Sequence, residues 1–413
     1  LCTLYRTWST GGLGLLITGN VQVDRRYMER PGNVAIDGPQ DEMQLQLLRT
    51  WARSAQVAGN HCWVQLSHAG RQCNVKVKKV GVAPSAIRSD NVGGRQLIMP
   101  SYVPEELSPN QIQDVVRRFV EASVVCKEVG FTGVQIHAAH GYLLSSFLNP
   151  LANHRRDQYG GSAEARARLL LDVVREMRVA VGASFPISVK LNSSDFQKGG
   201  LSHQEALRVG EALEAAGIDL LEITGGNYEN PAMLGTFDLL ATSTRMREAY
   251  FLDFAKGFRA VMKKTPLMVT GGMRRRSIME DALLSGDVDV IGIGRPLCGS
   301  PHCCLKLLDD MYALPCFENA LTLPLPLRWI CCSQFGRVLQ TFAIQLWYYH
   351  MEVLLGTGEL YEGRTNVLQS LFFVEGWDAR QARQLKGLDC QGSVLNARRN
   401  ASWIVLAACV LLS

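Results

Sequence analysis

Residues 131–161, FTGVQIHAAHGYLLSSFLNPLANHRRDQYGG, decide the fold. They open as a short apolar strand and close in a glycine-rich turn, with His137, His140 and Tyr142 where the strand gives out. Successive strand residues face opposite sides, so Gln135 and His137 share one face while Val134 and Ile136 take the other. Two imidazoles and a phenol at the end of a strand suit a site better than a sheet interior, where unpaired polar groups are costly.

The flanking sequence repeats the pattern. Ser108-Pro109-Asn110-Gln111 has the form of a capping box with proline at the first helical position, and it predicts a helix to about Val129. Downstream, helix 163–181 leads to strand 187–192, helix 202–215 to 220–224, helix 247–263 to 267–271, and helix 274–285 to 289–293. Upstream, GGLGLLITGNVQV (11–23) reads as a strand bounded by glycines, followed by helix 42–58 and strand HCWVQLSH (61–68). The polar stretch 69–107 is long enough to be a lid or binding loop.

Seven strands alternating with helices imply a parallel α/β sheet with helices outside. An open doubly wound sheet and a barrel both fit that alternation. The dinucleotide fingerprint GxGxxG is absent between a first strand and its helix. Polar residues instead gather at the C-terminal ends of several strands, as in a TIM (β/α)8 barrel. The expectation is such a barrel, incomplete at the N-terminus and lacking its first strand. It occupies residues 1–300, with a helical extension over 301–363 and a weakly patterned, poorly folded tail over 364–413. The apolar run 403–412 is short of the ~20 residues that span a bilayer. An amphipathic stretch at 321–355 leaves a membrane-surface contact open.

Composition narrows the class. With 47% hydrophobic and 20% charged residues, the 413-residue chain reads as a globular protein with ample core. A net charge of +5 without clustered Lys/Arg argues against a nucleic-acid partner. Twelve cysteines include no CxxC, and the pairs Cys303-Cys304 and Cys331-Cys332 match no zinc pattern. Free thiols in a reducing, cytoplasmic setting are expected, and no metal site.

Gln65, Lys190 and Glu222 each fall inward on a strand if their neighbours pack against helices. One alone is usually a satisfied core residue; three strands doing so, with His137 on a fourth, point to a lined pocket. Gly271-Gly272 and Gly292-Ile293-Gly294-Arg295 end the last two strands. Tight turns want such glycines, and so does a phosphate, which barrels bind after their seventh and eighth strands. His137 and His140 have metal-pair spacing, yet no third ligand is conspicuous, and two donors gripping one carbonyl oxygen is the better use. Tyr142 either packs on the next helix or serves as a general acid, since tyrosine with its ordinary pKa of about 10 is protonated near neutrality. In 153–162, Ser162 reads as a helix cap and Asp157 as the partner of a nearby arginine, bracing the loop.

The 131–161 stretch, together with WVQLSHAGRQ, ISVKLNSSDF, LLEITGGNYE, VTGGMR and IGIGRPL in that order, resembles the Old Yellow Enzyme family of FMN-dependent NAD(P)H oxidoreductases. The resemblance covers roughly residues 3 to 300. It implies a TIM barrel holding FMN at its C-terminal mouth, with NADH or NADPH as hydride donor and an α,β-unsaturated carbonyl compound as substrate. It implies that Gly19, Gln65 and Lys190 meet the flavin ring, and that Gly271, Gly272, Gly294 and Arg295 take its phosphate. It further implies that His137 and His140 bind the substrate carbonyl and that Tyr142 donates the proton. The rival expectation is a non-catalytic barrel remnant that does not retain FMN.

Overall fold

Seven parallel strands with helices packed outside them carry the chain's long-range order. The computed structural model describes residues 1–88, 102–226, 242–323, 334–359 and 366–389. In chain order the first elements are α1 (Cys2–Ser9), β1 (Leu15–Ile17), β2 (Val21–Gln22), α2 (Glu42–Ser54) and β3 (His61–Ser67). Then come β4 (Val82–Ala83), β5 (Glu105–Glu106), α3 (Pro109–Glu128), β6 (Gly133–Ala138), α4 (Leu143–Leu148) and α5 (Ala163–Val181). The series continues with β7 (Ile187–Asn192), α6 (His203–Ala215), β8 (Leu220–Thr224), α7 (Thr242–Val261), β9 (Leu267–Thr270), α8 (Arg276–Leu284) and β10 (Val290–Gly292). It ends with α9 (Pro296–Gly299), α10 (Cys303–Asp309), α11 (Gln334–Thr357) and α12 (Val367–Asp389).

The main sheet runs β1-β3-β6-β7-β8-β9-β10, with β2 added to the far end of β3, every pair parallel. The expected seven-stranded incomplete barrel is therefore what forms. Among the described residues no pairing joins β1 to β10, so the sheet stays open between them. Alternation drives it: Val64, Leu66, Val134, Ile136, Val189, Leu191, Leu221 and Ile223 are all fully buried, packed with Ile112 and Phe119 of α3 and Leu169 and Val173 of α5. Each such side chain contributes about 1.5–3 kcal/mol. Helix starts follow local chemistry, with full capping boxes at Ser108/Gln111 and Ser202/Glu205 and a side-chain cap from Ser162.

The open side is covered by helices. The Tyr5 ring of α1 packs edge-on against Trp8 and Trp51, and the Trp8 indole donates to the Leu297 carbonyl of α9 at 3.1 Å. Helix α11 packs on α1, α9 and α12. Its Ala343, Ile344, Trp347, Tyr348 and Met351 build a second core with Leu321, Leu323 and Val367. The apolar face of this extension is thus spent inside the molecule. Residues 367–389, expected to be part of a weakly patterned tail, form a 23-residue helix. It is tied down by Arg30–Asp378 at 2.8 Å and Lys76–Glu375 at 2.6 Å, pairs whose members stand 348 and 299 residues apart in the chain and that leave no local periodicity to read. The run 403–412 lies outside the described residues, as do 89–101 of the long loop. No helix of the described residues is long and apolar enough to cross a membrane.

Candidate active site

Strand register builds the floor of the site. Gln65 lies beside Gln135 on adjacent strands, and His137, Lys190 and Glu222 fall level across β6, β7 and β8. Parallel neighbours in register point the same way, so these groups meet inside the sheet. Gln65 Nε2 donates to Gln135 Oε1 at 2.7 Å, and Gln135 Nε2 donates to Glu222 Oε2 at 2.7 Å. The Lys190 ammonium sits 2.7 Å from Glu222 Oε1. Gln65, Lys190 and Glu222 are indeed inward, and they form one connected network.

Above this floor opens a cavity of about 1880 Å³. Gln65, His140, Lys190, Thr270, Gly294 and Arg295 line it, together with Gly19, Gly271 and Gly272. All seven residues expected to meet the flavin therefore face one cavity. Gly271 and Gly272 take φ of 134° and 72°, which only glycine adopts without strain, and turn the chain sharply after β9. Gly19 N–H donates to the Tyr5 hydroxyl at 2.9 Å, which fixes the turn after β1.

His137, His140 and Tyr142 cluster as the strand-end position implied. The His137 ring lies edge-on to His140 and Tyr142, with centroids 5.2 and 4.8 Å away. His140 lines the cavity, whereas His137 and Tyr142 are packed behind it, 4% and 2% exposed. His140 adopts φ 62°, an uncommon backbone for a non-glycine residue, and its Nε2 lies 3.1 Å from Thr224 Oγ1. Burial, then the neighbouring His140 and Lys190, hold the His137 pKa far below that of free histidine. Burial and Lys190 bring His140 down to about 3. Both rings are neutral near pH 7. His137 Nδ1 accepts from the Ala139 N–H at 3.2 Å, so its ring proton is on Nε2, which becomes a donor.

Several groups at the site carried no legible signal. Glu318, on the short turn Phe317–Asn319, pairs with Arg295 at 2.7 Å and with Arg274 at 3.1 Å. Tyr348 and Glu352 of α11 also line the cavity. Burial raises the Glu352 carboxyl to about 7. Nothing local marks these residues, because they reach the site from beyond the last strand. Among the described residues no group of three or more His, Cys, Asp or Glu is arranged to hold a metal ion. Arg155 pairs with Asp157 at 2.5 Å and reaches the Pro84 and Leu107 carbonyls, bracing the loop as its sequence suggests.

The cavity fits a flavin mononucleotide on the chemistry of its walls. A polar floor for a heterocycle adjoins a glycine-lined end with two guanidiniums for a phosphate. The Thr270 hydroxyl there is buried without a hydrogen-bond partner, as expected of a group awaiting a ligand.

Comparison with known proteins agrees. The family model of the NADH:flavin oxidoreductase / NADH oxidase family matches residues 2–313. An NADH-dependent flavin oxidoreductase of Hypocrea jecorina (strain QM6a) is 36% identical over 311 residues, covering 72% of this chain and 77% of the relative. A 2-naphthoyl-CoA reductase structure aligns with TM-score 0.67 and 25% identity over 76% of this chain and 48% of that one. An old yellow enzyme homologue from Zymomonas mobilis shares the fold, with TM-score 0.62 and 24% identity over 78% and 87% of the two chains. Cavity, network and relatives converge: the chain belongs to the NADH:flavin oxidoreductase / NADH oxidase family, the Old Yellow Enzyme family, whose cofactor is FMN and whose hydride donor is NAD(P)H.

Proposed function

We propose that the chain reduces the activated C=C bond of α,β-unsaturated carbonyl compounds. The observation that carries this reading is the neutral His137–His140 pair beside Tyr142 at the end of β6. FMN bound in this cavity would supply the hydride-transfer chemistry between NAD(P)H and the alkene. His137 Nε2–H and His140 grip the substrate carbonyl oxygen and draw electron density from the alkene. Neutral rings suit this task, because they donate to the oxygen without surrendering a proton. Tyr142, packed on the His137 ring and 2% exposed, is the proton donor to the α-carbon in this reading and requires the His140 wall to shift when substrate enters.

In the same reading Gln65 and the Gly19 backbone hold the flavin ring. Lys190 would set its cation beside the ring, and Gly271, Gly272, Gly294 and Arg295 would hold the phosphate. Tyr142→Phe should slow alkene reduction by about 10²–10⁴-fold while flavin reduction by NAD(P)H stays near the wild-type rate. Stopped-flow measurement of the two half-reactions separates them, and equal loss in both would sink the assignment.

A further inference from the structure

We propose that Glu318 is a resident counter-anion of the phosphate seat, and that it sets how well this chain distinguishes FMN from riboflavin. The inference rests on the reading that Arg295 and the strand-end glycines take the phosphate. Two guanidiniums converge there, Arg274 from the end of β9 and Arg295 from the end of β10, and one carboxylate answers both. Glu318 Oε1 lies 2.7 Å from Arg295 Nη1 and 3.1 Å from Arg274 Nη2. Its Oε2 is 3.5 Å from the same Arg274 nitrogen and accepts from Cys316 Sγ at 3.2 Å. All of these residues line the cavity. The Glu318 and Arg274 side chains are 16% and 12% exposed, so water screens that pair little, whereas Arg295 is 44% exposed and its pairing is screened more.

A phosphate monoester brings about 1.5–2 negative charges to such a seat. Beside an ionised Glu318 that charge meets repulsion as well as two arginines already engaged. Riboflavin, which ends in a hydroxyl, meets neither obstacle. The buried Tyr348 hydroxyl, 6% exposed as a residue, adjoins Glu318 and stabilises its charged form, so the seat holds its carboxylate ionised. Glu318 rides on a single turn, Phe317–Asn319, whose Phe317 ring rests on Trp347 at 5.4 Å. Displacing the carboxylate therefore disturbs no strand.

The test is a flavin-fluorescence titration of the full apo chain with FMN and, separately, with riboflavin. Glu318→Gln should tighten FMN by about 10–100-fold, as expected for removal of a like charge, and leave riboflavin nearly unchanged. Glu318→Ala should do the same, and riboflavin binding reports that each variant keeps its site. If Glu318→Gln weakens FMN, the carboxylate positions the arginines and does not compete; if FMN is unchanged or neither flavin binds, Glu318 does not control the seat. Each of these results overturns the proposal. Arg295→Gln tests the underlying reading separately. It should weaken FMN and spare riboflavin, and an effect on neither would place the phosphate elsewhere.

Discussion

The two halves of the site solve the problem of buried polarity in opposite ways. At the end of β6, His137 and His140 are stripped of charge by burial and arranged by ring packing and a backbone hydrogen bond. On the other strands the polar groups keep charge and are neutralised by partners: Lys190 by Glu222, Arg295 and Arg274 by Glu318. The first half is preorganised to donate hydrogen bonds. The second must exchange internal partners for those of a ligand, so its affinity depends on how firmly those partners hold.

Breaking the Lys190–Glu222 pair should have the largest effect on stability. Glu222 is 3% exposed at its side chain, and Lys190→Met would leave it without its cation. A loss of about 3–5 kcal/mol in urea unfolding is expected, largely recovered in Lys190→Met/Glu222→Gln. A loss below about 1 kcal/mol would mean that the lysine is held for the ligand and not for the fold.

The imidazole half predicts a pH dependence. In the unfolded chain His140 titrates near 6.5, whereas in the fold it stays neutral down to about 3. Below pH 6.5 the unfolded state binds more protons, so stability is fully present above that pH and falls as the pH drops toward 3. Between pH 6.5 and 5 this single ring should cost about 2 kcal/mol, at about 1.36 kcal/mol per unit. Denaturation midpoints of wild type and His140→Gln at pH 7 and 5 check it: the variant should lose less. Equal losses would show that the ring is not buried in its neutral form.

The smallest expected effect is at the turn after β1. Tyr5→Phe removes the acceptor for the Gly19 N–H and should cost about 1 kcal/mol, with a modest loosening of flavin binding. An unchanged affinity would place the cofactor's anchorage wholly on β3, β7 and the strand-end glycines.

Much of this was legible locally. Val134 and Ile136 alternate with Gln135 and His137, and Ser108 announces the helix that feeds them, so the strand, its faces and its reactive end follow from neighbouring residues. Gln65, Lys190 and Glu222 were legible as inward for the same reason. Their mutual bonds were not, because register between strands is set by packing across the whole sheet and leaves no mark in any one segment. Glu318 and Tyr348 were invisible for a stronger reason: a lone acid on a short turn and an aromatic on a helix look the same whether they face water, core or a cofactor. Helix α12 hid in the same way, held by ion pairs to distant residues.

The open side between β1 and β10 has one further consequence. In a closed barrel, strand number and shear fix the circumference, and side chains must accommodate a diameter that the backbone imposes. Here, among the described residues, no ladder closes the ring, and the span from β1 to β10 is bridged by α1, α9 and α11 through side-chain contacts. The bore of the cavity is therefore a property of helix packing. Ile344, Tyr348 and Val353 of α11 line the chamber, so the helix that closes the open side also shares in setting its bore.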